Sequence, residues 1–203
     1  MTENLAARIA FSLEEEMPLE GEVFINEAVA QLQAPKAEFC RLRFEKCRFE
    51  GCHFQKASFL NVEFVNCDFS NCVMEDTYWK MVSFLDCKGQ GANFTNGVFR
   101  NVKVAGCKLD YANFTRGLWD NLEIRQTTFV SASLSEMKLK KIFLEGDRFE
   151  KTDFFRTPLK GVDFSRCDLE QIILSDDLHE IRGAKLSPEQ AVDIARLLGV
   201  TVV

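Results

Sequence analysis

Eight cysteines and two histidines are the residues in this 203-residue chain with the richest side-chain chemistry. Zinc would gather four such ligands in a tetrahedron, an oxidising compartment would pair the thiols, and an exposed thiolate would attack an electrophile. The spacing argues against the first two. Cys47, Cys52, Cys67, Cys72, Cys87, Cys107 and Cys167 all stand at multiples of five from one another. If that beat is structural, the thiols form straight ladders. Neighbours in a ladder sit near the inter-strand spacing, slightly too far for relaxed disulfide geometry, and they cannot surround an ion. Cysteine at such a position acts as a compact hydrophobe. Cys40 falls off the beat, should point outward, and is the candidate reactive thiol. His53 stands at an outward position and His179 lies after the last clean repeat, and there is no GxGxxG, P-loop or HExxH. The chain is therefore expected to be no enzyme, with no catalytic residue, no metal site and no cofactor. One carboxylate stands apart. Asp147 falls at an inward position between Thr127 and Cys167. A buried carboxylate needs hydrogen bonds or a proton, and the Thr127 hydroxyl is a candidate donor. A local packing irregularity, next to the oversized Met137 and Ile142, is favoured over a functional site.

The element that positions these residues is the beat itself. From Phe39 to Leu174 every fifth residue is large and apolar, 28 positions of which 15 are Phe, and only Gly89 breaks the rule. Two residues before each large side chain comes a small one in 22 of the 28 units, as in Cys47-Arg48-Phe49 and Ala92-Asn93-Phe94. A spacing of two puts both side chains on one face of an extended strand. The spacing of three that follows forces a corner. A 3.6-residue helix makes no stripe from a period of five, and a flat sheet would need unbroken alternation. A coil with short flat sides fits both intervals. Ala92-Asn93-Phe94-Thr95 recurs as Ala112-Asn113-Phe114-Thr115, and Cys47, Cys67, Cys87 and Cys107 are each 20 apart. Four five-residue sides thus make one turn. Twenty-eight units give about seven coils and a shaft of roughly 34 Å. Trp79 and Trp119 read as interior fillers whose indole N–H groups need acceptors, and Gly89 predicts a void and a bulge.

With these motifs in view the chain resembles the pentapeptide-repeat proteins, whose consensus is Ala-(Asp/Asn)-(Leu/Phe)-X-X. The resemblance implies a right-handed quadrilateral β-helix. The preference for Phe, the frequent Cys two residues earlier, the length and the C-terminal helix look like the Qnr-type and MfpA-like members. Those bind bacterial type II topoisomerases, mimic duplex DNA and protect the enzymes from quinolones.

The ends are built differently. Residues 36–176 form the shaft, residues 1–35 an N-terminal cap and residues 177–203 a C-terminal cap. Leu19, Phe24 and Val29 keep the beat, but Glu22 and Glu27 fall where small residues belong, so the N-terminal cap reads as a degenerate coil preceded by a short helix over Leu5–Leu13. At the other end Ser187 is an N-cap, Pro188 fits the first helical turn, Gln190 completes a capping box and Gly199 is the stop. Ala191, Ile194, Ala195, Leu197 and Leu198 form an apolar stripe, which can cover the open strand edges of the last coil. The resemblance adds homodimerisation through it. Val200–Val203 reads as a short strand. The N-terminus lacks the basic region and apolar core of a signal peptide, and no stretch is long and apolar enough to span a membrane, so a cytoplasmic protein is expected.

Charge divides the functional readings. The whole chain carries −6. Residues 1–35 hold one basic and seven acidic groups, whereas residues 36–175 hold 21 basic and 19 acidic. The side that carries Phe39, Phe59, Trp79 and Phe99 holds Arg41, Lys80, Arg100, Lys138, Lys140, Lys141 and Lys160 against Glu38 and Asp120, a net +5. A DNA mimic needs an acidic surface, because its target normally binds phosphates, and here the ends are acidic and the shaft is not. Two readings follow. One is a non-enzymatic modulator of DNA gyrase or topoisomerase IV by partial DNA mimicry. The other is an interaction scaffold whose basic side docks an acidic protein or nucleic acid, direct nucleic-acid contact being the less favoured.

Overall fold

The computed structural model describes residues 4–202. The chain winds as a parallel β-solenoid of about eight coils between two helices, α1 (Leu5–Glu14) and α2 (Pro188–Leu197). Residue i pairs with residue i+20 along most of the shaft, and the closing bridge, Asp163 to Lys185, spans 22. Phe39 faces Phe59, Phe59 faces Trp79, Trp79 faces Phe99, Phe99 faces Trp119 and Trp119 faces Leu139, all in parallel register. Two adjacent sides share an 11-stranded sheet, and three of its strands (Val98–Ala105, Leu118–Arg125 and Lys138–Glu145) run extended around the corner between them. The other two sides are joined mainly by single bridges such as His53 to Val73 and Val73 to Asn93.

The corners explain the beat. The second residue after nearly every large side chain is left-handed, with φ of 52–61° at Arg41, Lys46, Lys56, Asn61 and Asn66. One left-handed residue redirects a strand without spending a loop, and Asn and Gly adopt it with least strain. Inside, the large side chains stack along the axis and meet edge-on across the lumen. Phe39 and Phe59 lie 4.7 Å apart at 12°, Phe59 and Trp79 3.9 Å apart at 3°, while Phe39 meets Phe54 at 71°. Both arrangements suit the ring quadrupole. The largest internal void among the pockets described, about 20 Å³, is lined wholly by apolar residues.

Four expectations change. The solenoid begins a full coil earlier than Phe39. Leu19, Phe24 and Val29 are buried and pair with Phe39, Phe44 and Phe49, which lengthens the shaft to roughly 38 Å. Glu22 and Glu27 hold their inward positions because α1 lies over them. Arg8 Nε donates to Glu22 Oε1 at 3.0 Å, and the Leu5 amide at the start of α1 donates to Glu27 Oε2 at 3.4 Å. Gly89 makes no bulge, and the expected void shrinks to part of the apolar space of about 20 Å³ lined by Phe69, Phe84, Phe94 and Leu109 among others. Its amide keeps the ladder bond to Lys108 O at 2.9 Å, and the Phe69 ring and Leu109 fill the space, so that a Cβ there would stand 2.4 Å from Phe69 Cε2. After α2, which has its Ser187–Gln190 capping box and a left-handed Gly199, Val200–Val202 forms no strand among the described residues.

Candidate interaction surface

The inward positions are structural. Cys47, Cys52, Cys67, Cys72, Cys87 and Cys107 are buried and unpaired. Each thiol donates to a backbone carbonyl of the preceding coil, Cys47 to Phe24 O at 3.3 Å and Cys72 to Phe49 O at 3.1 Å among them. Hydrogen bonding within the ladder and then burial push Cys47 and Cys87 well above the ordinary thiol range. Cys167 is raised to about 11, chiefly by burial. Cys40 does lie off the core, half-buried, but burial and then the carboxylates of Glu20 and Glu38 raise its pKa. That makes it a poor nucleophile, because the thiolate is the reactive form.

Asp147 is 1 % exposed and belongs to a corner ladder of inward acceptors. The Cys87 amide donates to Cys107 Sγ, the Cys107 amide to Thr127 Oγ1 at 3.3 Å, and the Thr127 amide to Asp147 Oδ1 at 2.9 Å. The donor to Asp147 is thus the Thr127 amide and not its hydroxyl, which bonds Arg125 O instead. Asp147 Oδ2 accepts from the Glu145 amide at 3.0 Å. Burial raises the carboxyl to about 7 despite the Thr127 amide and Arg125.

Near the C-terminal end Asp177, His179 and Glu180 bring one ligand atom each within 4.8 Å of the others. Sequence reasoning passed over Glu180, which is fully buried. It accepts from the Arg156 amide at 2.8 Å and from the Ser175 hydroxyl at 2.8 Å. Burial opposes its charge, but these donors hold it below the ordinary carboxylate range. Asp177 is lowered by the Ser175 hydroxyl and then His179. Glu180 ties the closing turn to the coil before it through the Arg156 amide, while Asp177 and His179 bond Ser175 within the turn. The only signal in the sequence was the loss of the beat after Leu174.

The outer faces differ in how their charge is held. On the side beginning with Phe44, Arg43 pairs with Glu63 at 2.7 Å, Arg125 with Glu123 at 2.8 Å and also with Glu145, and Arg166 with Glu145 at 3.4 Å. On the basic side Arg41 is neutralised by Glu20 at 2.7 Å. Lys80, Arg100, Lys138, Lys140, Lys141 and Lys160 are all exposed, and among the described residues none makes an ion pair. The structure therefore brings six of the seven predicted cations to one face unneutralised, densest at Lys138–Lys141. Both indoles on that side are interior. Trp79 Nε1 donates to Thr77 Oγ1 at 2.8 Å, but Trp119 Nε1 has no acceptor, because its counterpart of Thr77 is Gly117.

Helix α2 is pinned by Gln190, whose side-chain amide donates to Phe164 O and Cys167 O at 2.9 and 2.7 Å. Its predicted stripe is split. Ile194 packs against the core and Ala195 is half-buried, whereas Ala191, Leu197 and Leu198 are exposed. No helix is long and apolar enough to cross a membrane.

The family model of the pentapeptide repeat region matches residues 37–114. The chain carries the pentapeptide-repeat fold. No curated protein gives a significant sequence match. Among solved structures, a trypsin-treated point variant of QnrB1, a plasmid-mediated fluoroquinolone resistance protein, is 22% identical, covers 89% of this chain and 91% of its own, and has a TM-score of 0.58. HetL, a pentapeptide repeat protein involved in heterocyst differentiation regulation from the cyanobacterium Nostoc sp., is 12% identical over 90% of this chain and 94% of its own, at a TM-score of 0.50. At these identities the likeness is one of fold.

Proposed function

We propose that this pentapeptide-repeat chain is a non-enzymatic binding protein, and that its partner is a bacterial type II topoisomerase, DNA gyrase or topoisomerase IV, which it modulates by partial DNA mimicry with protection from fluoroquinolones. The observation that carries the reading is the rod itself. Its lumen is filled with apolar side chains, the five-residue beat runs from Leu19 to Leu174, and its charged groups lie on flat outer faces. The acidic first 35 residues and a homodimer through α2 supply the rest of a rod with DNA-like ends. The fold likeness to QnrB1 motivates the choice of partner. We place the protein in the cytoplasm, where such an enzyme works. The test is supercoiling by a cognate gyrase with titrated protein, with and without a fluoroquinolone. Neither inhibition nor protection at tens of micromolar, an affinity weaker than about −6 to −7 kcal/mol, ends the topoisomerase reading.

One observation favours a second reading. Unneutralised cations gathered on one face suit a scaffold that docks an acidic protein. Binding of an acidic partner to that face falls steeply with salt, and flat binding across salt would remove this reading.

A further inference from the structure

On the basic side a column of apolar residues runs beside the cations. Outward residues one coil apart stand in register, Tyr78 with Val98, Val98 with Leu118 and Leu118 with Lys138. Two residues further along each strand, Lys80, Arg100, Asp120 and Lys140 form the parallel column. Tyr78, Val98 and Leu118 are half-buried at outward positions, and nothing but solvent lies over them among the described residues. Single apolar residues on a surface are ordinary, but here three stack on consecutive coils. The matching columns on the other sides of these coils are polar, Asn93, Asn113 and Ser133 forming one of them. The apolar column ends at Lys138, beside Lys140 and Lys141, with Lys160 one coil beyond. Each of these lysines is exposed and none makes an ion pair among the described residues.

This pairing of columns limits what fits. A polyanion without apolar groups would answer the lysines and leave Tyr78, Val98 and Leu118 uncovered. A polypeptide can answer both, and the rung spacing selects its conformation. From Tyr78 to Leu118 is two rungs, about 9.6 Å along the axis. Two turns of an α-helix lying along the axis cover about 10.8 Å, close enough for side chains to absorb the difference. An extended segment puts its same-face side chains about 6.8 Å apart, or about 13.6 Å over two steps, and falls out of register. A helix with apolar residues at i, i+4 and i+7 therefore meets the three apolar rungs in turn. Carboxylates on its adjoining flank meet Lys80 and Arg100, and those on its next turn meet the Lys138–Lys141 cluster. Asp120 stands between Arg100 and Lys140, so the turn that faces it carries no carboxylate.

We propose that the basic side binds an acidic amphipathic helix that lies along the solenoid axis, its apolar stripe on Tyr78, Val98 and Leu118 and its carboxylates on the flanking cations. This rests on the reading of the basic side as a docking face and names the kind of segment it takes. The probe is a fluorescein-labelled peptide of about 18 residues with Leu at i, i+4, i+7 and i+11, Glu at adjoining positions and Ala elsewhere. Its control has the same composition in scrambled order. At low salt the ordered peptide should bind and gain helical circular dichroism, and the scrambled control should bind at least about tenfold more weakly. Val98→Thr with Leu118→Thr keeps good strand formers at both positions. That pair should weaken the ordered peptide about tenfold and leave its salt dependence unchanged. Lys138→Glu with Lys140→Glu and Lys141→Glu should abolish binding. Amide chemical shifts of the unmodified chain decide the point even if a variant misfolds, since the ordered peptide should perturb Tyr78, Val98 and Leu118 and the scrambled one should not. Equal binding of the two peptides, or an unchanged affinity in the threonine pair, overturns the helix but leaves the basic docking face. Binding of neither peptide overturns both.

Discussion

Asp147 gives the sharpest test of how the interior works. Its carboxyl is raised to about 7 by burial, from an ordinary value of 3.8. A carboxylate whose folded value is raised favours the folded state only while protonated. Its contribution is intact below the unfolded value, and is lost as pH climbs from about 4 to about 7. Fully ionised, the gap between 3.8 and about 7 corresponds to about 4 kcal/mol against folding. Asp147→Thr removes that cost and reproduces the neighbouring rung, since the Thr127 hydroxyl accepts the Cys107 amide and donates to Arg125 O. The variant gives up the acceptor for the Glu145 amide, about 1–2 kcal/mol. It should therefore be more stable than the parent by roughly 2–3 kcal/mol at pH 8. The parent's deficit should grow by about 2.5 kcal/mol between pH 5 and pH 8, because the proton is nearly always present at the lower value. Urea denaturation of both proteins at the two pH values reads this difference with every other titration cancelled. A stability difference that does not change with pH refutes the argument, as does a carboxyl carbon resonance of Asp147 that titrates near 4.

Three further outcomes follow from the same packing. Gly89→Phe would complete the beat, yet it should destabilise by about 3 kcal/mol, because the Phe69 ring and Leu109 already occupy the space; a rise in the urea midpoint would contradict this. Thr77→Val should cost about 2 kcal/mol by orphaning the Trp79 indole, while Trp119→Phe should cost less than Trp79→Phe because the Trp119 indole N–H bonds nothing; equal losses in thermal denaturation would count against it. Leu197→Asp with Leu198→Asp should convert a dimer to a monomer in light scattering, and a parent chain that is already monomeric ends the dimer proposal. Those two leucines are the right probes because Ile194 packs within its own chain.

The five-residue beat and its 20-residue super-period carried the coil, its four sides and the i to i+20 register, because each depends only on neighbours in the repeat. What the sequence hid depends on contacts outside it. Glu22 and Glu27 looked like the end of the regular shaft, but they are rungs whose partners are Arg8 and the Leu5 amide on a helix that precedes the coil. Glu180 is buried through amides of Arg156 and Ser175, which only the closing turn brings together. Gly89 looked like a gap because a side chain was missing, although its neighbours along the axis are long enough to close over it. The candidate surface was legible as composition on one side.

The two functional readings use opposite charge, and this allows one variant to separate them. Lys138→Glu, Lys140→Glu and Lys141→Glu together carry the basic side from +5 to about −1. If the rod works by imitating duplex DNA, that side is the main defect of the imitation, and the change should strengthen gyrase inhibition, since a basic DNA groove then meets acid on every face. If the rod docks an acidic partner through the same side, the change should remove docking altogether. The exposed lysines bury little and make no ion pair among the described residues, so the fold should hold in either case. A variant that inhibits gyrase more strongly than its parent therefore favours mimicry. A loss of binding to an acidic partner favours the docking face, and an unchanged gyrase titration shows that gyrase modulation does not involve the Lys138–Lys141 cluster.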